Sequence, residues 1–221
     1  MSNRLRKNNS KNKKLNNVLL TGATGFVGKY VVDELVRRGV SLTVLVKKKK
    51  NDIPKSVKQI VCDLEKITTL RPYSRSLIKY KTVIHLAAEI PNAEKKLNMN
   101  IGNQFNKSIE MVTNLLEVTS PRHIIFTSTL DIYGHTSNIP IKERSAYAPL
   151  TLYGSSKAAT EILLKQYCQS NNITLTTLRL SQVYGNGDSL IKFIPIVTDQ
   201  VLKNKRPVLF NKGADTRDYI H

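Results

Sequence analysis

From Asn17 onward, short apolar runs alternate with longer segments in which apolar residues recur every three or four positions. Val18–Leu20, Ser41–Val46, Gln59–Cys62, Thr82–Ala88, Arg122–Thr127 and Thr174–Leu180 are rich in Val, Ile, Leu and Thr, and each reads as a strand. After the first of them, Phe26, Val27, Tyr30, Val31, Leu35 and Val36 repeat at helical spacing. Ile109, Val112, Leu115 and Leu116 do the same within Asn98–Ser120, which Pro121 stops, and Leu150–Asn171 carries a further helix. Strands alternating with helices imply an α/β fold, a Rossmann-like doubly wound parallel sheet. Ligands of such sheets bind outside the carboxyl ends of the strands. Gly22, Asp63, Ala87, Thr129 and Ser181 all follow strands, so they are expected along one edge.

Composition adds little to this picture. A hydrophobic fraction of 40% and a charged fraction of 23% in 221 residues describe an ordinary globular chain. With no apolar run of membrane-spanning length and no apolar leader, a cytoplasmic protein without a membrane partner is expected. Cys62 and Cys168 are the sole cysteines and the four histidines lack ligand spacing, so neither a disulfide framework nor a metal site is expected. The net charge of +19 favours nonspecific attraction to polyanions. Apart from Met1–Asn16 and the run Lys47–Lys50, however, the cations are dispersed along amphipathic segments, and specific nucleic-acid recognition does not follow.

Candidate chemistry sits at the strand ends. Gly22, Gly25 and Gly28 fall between the first strand and its helix, where free backbone N–H groups and the positive end of the helix dipole suit a pyrophosphate. At the end of the second strand of a dinucleotide-binding fold, an acid reads a ribose hydroxyl and a cation accommodates a 2′-phosphate. Lys47 opens a run of four lysines there, with no acid before Asp52, which favours NADP over NAD. Ala87 and Ala88 are small enough for a ligand to lie against the backbone. Tyr153 and Lys157 are four apart on one helical face, and an ammonium near a phenol is expected to lower the phenol's pKa and suit it to proton transfer.

Together, the TGATGFVG turn, the HLAA strand end, the Ser128–Thr129 pair, the YGSSK helix and the LRLSQVYGNGD segment make Asn17–His221 similar to the extended short-chain dehydrogenases/reductases. This group includes nucleotide-sugar epimerases, dehydratases and ketoreductases. The resemblance implies a cofactor site of Gly22, Gly25, Phe26, Val27, Gly28, Lys47, Asp63, Leu64, Ala87, Ala88, Tyr153 and Lys157. It implies Tyr153 as acid/base, Lys157 as its partner and Thr129 as the group orienting the reacting oxygen, with Ser128, Asp131, Ser181 and Val183 on the substrate side. The implied activity is NAD(P)-dependent epimerisation or ketone reduction of a nucleotide-activated sugar. A reductase of a small carbonyl or steroid-like ketone, and a non-catalytic NAD(P)-binding remnant or redox sensor, are the alternatives. Dehydratases of the group carry Asp-Glu after the Thr where this chain has Leu130-Asp131, which disfavours elimination; an Asn expected early in the long helix is replaced by Ser108. The expected organisation is a disordered basic tail over 1–16, an NAD(P)-binding domain over 17–185, and the start of a truncated substrate-binding region over 186–221. Members of the group often pair through two helices, so a homodimer is expected.

Overall fold

The computed structural model of the protein describes residues 17–89, 101–136, 139–189, 192–208 and 216–221. The predicted tail and the first residues of the predicted 98–120 helix lie outside the described residues. Strands β1 (Val18–Thr21), β2 (Leu42–Val46), β3 (Lys58–Val61), β4 (Thr82–His85), β5 (His123–Thr129) and β6 (Thr174–Leu180) form one sheet in the order β3-β2-β1-β4-β5-β6, with every pair parallel. The strand order reverses between β1 and β4, and a crevice opens there.

Both faces of this sheet are covered, which is why β1 and β2 are buried at every position. Val18 and Leu20 pack with Val44 and with Val32 and Leu35 of helix α1 (Phe26–Arg37). Leu19 points to the opposite face, where it joins Leu45 together with Leu70 and Leu77 from the single-turn helices α2 (Ile67–Leu70) and α3 (Ser74–Leu77). Helix α4 (Ile101–Val118) adds Met111 and Leu115 to that cluster. With its other apolar positions, Val112 and Leu116, it meets Ile124, Phe126 and, from helix α5 (Leu152–Ser170), Leu164 and Cys168. Each fully buried Leu or Phe contributes roughly 1.5–3 kcal/mol, so the sheet is clamped from both sides.

Two expectations are corrected. No helix joins β2 to β3: Lys47–Val57 is irregular, with the run Lys47–Lys50 and Pro54 in it, and it covers the sheet with only Ile53 and Val57. Strand β4 also ends at His85 and not at Ala88; the Leu86 N–H still reaches the Thr21 carbonyl at 3.2 Å, and the chain then leaves the ladder. Past β6, the strands β7 (Gln182–Val183) and β8 (Tyr219–Ile220) pair as a separate ribbon, and helix α6 (Phe193–Leu202) lies between them in sequence with none of its residues buried.

His85 shows what burial in this sheet does to a titratable group. Thr21 Oγ1 accepts the Ala87 N–H at 3.3 Å and shares a 2.8 Å hydrogen bond with His85 Nδ1, so the imidazole is held inside the sheet by a neutral partner. Burial, reinforced by the Lys157 charge, pulls His85 down to about 3. Between pH 6.5 and 3 the unfolded chain therefore binds a proton that the folded chain refuses. The resulting stability is complete above pH 6.5 and is lost as pH falls, at up to about 1.4 kcal/mol per unit. Urea midpoints of the wild type are expected to drop steeply from pH 6.5 to 4.5, and those of His85→Gln, which keeps an acceptor but cannot titrate, more shallowly. Parallel curves would show that other groups cause the acid loss.

Candidate functional site

The carboxyl ends of β1, β4, β5 and β6 open onto one cleft of ≈ 1550 Å³. At its floor, the backbone of Gly22 has φ +77, and a Cβ there would stand 2.6 Å from the Ala87 nitrogen. A Cβ on Gly28 would stand 1.9 Å from the Gly22 carbonyl oxygen. These two glycines let the turn and α1 close against each other and against β4. Gly25 is different. A Cβ there would meet the Gly22 oxygen at 3.4 Å and nothing else, and no side chain caps α1, whose N-cap is Gly25. The open space beside the unbonded N–H groups of the first helical turn fits an anion such as a pyrophosphate.

At the next part of the rim, Lys47 lines the cleft but is already held: its Nζ lies 2.6 Å from Glu65 Oε1 and 3.4 Å from Asp63 Oδ1. The Glu65 hydrogen bond, more than Asp63, raises the Lys47 pKa. Asp63 does not line the cleft. Its carboxylate accepts the Glu65 N–H at 3.1 Å and faces Lys47, while Leu64 and Glu65 form the wall. Lys48 and Lys50 also line the cleft, and neither makes an ion pair among the described residues.

At the far end, α5 starts from Thr151, whose Oγ1 accepts the Gly154 N–H at 2.9 Å. Gly154 is packed so closely on the turn after β5 that a Cβ would be 2.8 Å from the Asp131 carbonyl oxygen. That contact sets the height at which Tyr153 and Lys157 enter the cleft. Lys157 Nζ donates to the Thr127 carbonyl at 2.8 Å, and lies 4.7 Å from the centre of the Phe126 ring and 6.0 Å from that of Tyr153. Thr129 Oγ1 accepts the Asp131 N–H at 3.2 Å, which leaves its hydroxyl proton available to a ligand. Ser128, Thr129, Asp131, Tyr153, Lys157, Ser181 and Val183 all line this end, as Gly22, Gly25, Phe26, Val27, Gly28, Ala87 and Ala88 line the other.

The electrostatics correct one expectation. Burial pushes the Tyr153 phenol up to about 12, with the Asp131 carboxylate adding to it. Burial also pulls the Lys157 ammonium down to about 8, against the opposing charge of Glu161. In this environment desolvation of the phenol dominates, so Tyr153 is a neutral phenol at pH 7.

Several lining residues carried no signal in the sequence pattern: Thr24, Thr151, Lys192, Phe193 and Arg217. Lys192 Nζ is 2.8 Å from Asp188 Oδ1 and 5.5 Å from the centre of the Phe26 ring, so the segment after β6 folds back over the start of α1. Tyr30 reinforces this by donating to the Asn186 carbonyl at 2.7 Å. Only the return of the chain after β6 brings Lys192, Phe193 and Arg217 to the cleft.

Comparison with known proteins agrees with the fold and the cleft. The chain is 29% identical to dTDP-4-dehydro-6-deoxyglucose reductase of Escherichia coli over 93% of this chain and 69% of that one. It is 26% identical to dTDP-glucose 4,6-dehydratase of Mycobacterium tuberculosis over 92% of this chain and 64% of that one. Among solved structures it is similar to UDP-N-acetylglucosamine 4-epimerase of Methanobrevibacter ruminantium, determined with UDP-N-acetylmuramic acid, with a TM-score of 0.80, 25% identity, and coverage of 92% of this chain and 68% of that one. The chain thus spans 64–69% of the length of these relatives. No helix among the described residues is long and apolar enough to cross a membrane. A sequence model of the NAD dependent epimerase/dehydratase family matches residues 18–221, and with the glycine turn, the parallel sheet and the strand-end cleft in agreement, the chain belongs to that enzyme family.

Proposed function

We propose that the protein is an NAD(P)-dependent epimerase or ketoreductase of a nucleotide-activated sugar, with Tyr153 as acid/base, Lys157 as its partner and Thr129 as the donor that orients the reacting oxygen. The observation that carries this reading is a single cleft with a glycine turn open to an anion at one end and the half-buried Tyr153, the buried Lys157 and Thr129 at the other. The first turn of α1 and the vacant side of Gly25 fit a dinucleotide's pyrophosphate, and the bound nicotinamide would supply the acceptance and return of a hydride. The rest belongs to the chain's own groups. Thr129 donates to the sugar oxygen and sets its direction, while Tyr153 exchanges a proton with the same oxygen. Lys157, anchored on the Thr127 carbonyl, holds its charge below the phenol and stabilises the phenolate as it forms. Arg217, which also lines the cleft and makes no ion pair among the described residues, suits a diphosphate, and this supports a nucleotide-linked sugar over an uncharged ketone. In this reading 17–185 holds the cofactor and 186–221 contributes to the substrate site.

NADP is favoured over NAD, carried by Lys48 and Lys50, since Lys47 is neutralised by Glu65 and Asp63. Fluorescence titration is expected to give tighter binding of NADPH than NADH, and Lys48→Ala with Lys50→Ala to weaken NADPH about tenfold at unchanged NADH affinity. Equal wild-type affinities would remove the NADP assignment while leaving the dinucleotide site intact. A homodimer through α4 and α5 completes the proposal, since Ile162 of α5 is 59% exposed. Light scattering should report a dimer that Ile162→Glu dissociates, and a monomeric wild type at micromolar concentration would end the idea.

A further inference from the structure

One guanidinium, on a strand that carries no proposed site residue, ties that strand to three other parts of the chain at once. Arg179 lies on β6, opposite Ser128 of β5. Its Nη2 donates to Glu161 Oε2 at 2.7 Å and to the Tyr147 hydroxyl at 2.7 Å; its Nε donates to both Glu161 oxygens at 3.2 Å. Its Nη1 donates to the Tyr133 hydroxyl and to the Glu143 carbonyl. The Tyr133 and Tyr147 rings flank the guanidinium, each with its centre 5.2 Å away. Tyr147 closes the ring of contacts by donating to Glu161 Oε2 at 2.7 Å. The Glu161 side chain is 4% exposed and that of Arg179 18%.

What these partners have in common is their position. Glu161 continues the face of α5 on which Tyr153 and Lys157 lie, at i+8 and i+4 from them. Tyr133 ends the short turn that begins one residue after Thr129. Glu143 and Tyr147 belong to the segment whose Ile141 and Leu150 line the cleft, and which runs directly into Thr151, the cap of α5. This segment has little apolar burial of its own: Ile139 is 81% and Leu150 65% exposed. Its placement therefore rests largely on polar contacts, which run to Arg179 directly and to Arg179's own partners Tyr133 and Glu161.

We infer that Arg179 is a positioning residue for the substrate half of the cleft, holding the 139–150 segment and the first turn of α5, and through them Tyr153 and Thr129, in one arrangement. The inference rests on the role proposed for Tyr153, but its mechanical part can be tested apart from it. The pair is buried, so removing one partner alone would leave an uncompensated charge. The informative variants are therefore the neutral double replacement Arg179→Met with Glu161→Gln, the conservative Arg179→Lys, and Tyr147→Phe, which deletes two hydrogen bonds and no charge.

Hydrogen exchange is measured first. In the double variant and in Tyr147→Phe, amides of 141–154 are expected to exchange at least tenfold faster, while those of β1 and β2 are unchanged and NADPH affinity stays within twofold. Turnover of UDP-glucose should fall at least tenfold in kcat, with a smaller change in KM, and Arg179→Lys should recover part of it. Unchanged exchange over 141–154 in a folded variant overturns the inference, and so does NADPH affinity falling in step with turnover, which would indicate general loosening. If the double variant does not fold, Tyr147→Phe decides the exchange result alone. A wild type that binds NADPH and turns over no nucleotide sugar would count against the proposed function, while the exchange data would still decide the role of Arg179.

Discussion

Replacing Tyr153 by Phe is expected to lower kcat for a nucleotide sugar by about 10³-fold, within the range a positioned acid/base supplies, while cofactor affinity changes less than threefold. The ring is retained, so packing of the first turn of α5 and the cation–ring contact with Lys157 survive; only the hydroxyl is lost. That hydroxyl is held protonated by burial and by Asp131, with a pKa up to about 12, and it lines the same end of the cleft as Thr129. Melting temperature should be unchanged or slightly higher, because a buried polar group has been removed. The assay is steady-state turnover with UDP-glucose or dTDP-glucose beside a fluorescence titration of NADPH. Turnover within tenfold of wild type would mean another group moves the proton. Equal loss of turnover and cofactor binding would mean that Tyr153 serves binding and not proton transfer.

The second large effect separates two glycines of the same turn. Gly28→Ala forces a Cβ to within 1.9 Å of the Gly22 carbonyl, a backbone atom that cannot move without shifting α1 off β1. A loss of about 3 kcal/mol or more is expected, at the upper end of single substitutions. Gly25→Ala meets no such obstacle, since its φ of -76 suits any residue and its Cβ has only one neighbour, at 3.4 Å. Its melting temperature should match wild type, yet the methyl fills the space the pyrophosphate needs, and NADPH affinity should fall at least 30-fold. Calorimetry and titration on the two variants resolve the cases. If Gly25→Ala binds NADPH like wild type, the pyrophosphate does not lie at the start of α1. If Gly28→Ala is as stable as wild type, the turn has slack that the packing does not suggest.

The acidic part of the site shows how sequence and tertiary structure divide the information. Lys47 could be read as a free cation because the strand end it follows has no acid nearby in sequence. Asp63 and Glu65 reach it only because β3 lies beside β2 in the sheet, which brings two loops 16 and 18 residues apart onto one rim. The Tyr153–Lys157 spacing likewise announced a pair, but whether the phenol's pKa rises or falls depends on how much water the packed α5 leaves around it, and no spacing encodes that.

What the sequence by itself determined is whatever depends on neighbours along the chain. The apolar runs of β1, β2 and β4, the stripe of α1, the glycines between strand and helix and the i, i+4 relation of Tyr153 to Lys157 are all local patterns, and each leads to the parallel sheet with its strand-end site. Tertiary structure alone decided which groups face one another across the cleft and how dry each is. Lys192 and Arg217 arrive there by the return of the chain after β6, and Arg179 meets Glu161, Tyr133 and Tyr147 across separations of 18, 46 and 32 residues. Those contacts, and the desolvation that shifts Tyr153, Lys157 and His85, depend on three-dimensional distance and excluded water, and a linear pattern of residue types carries neither.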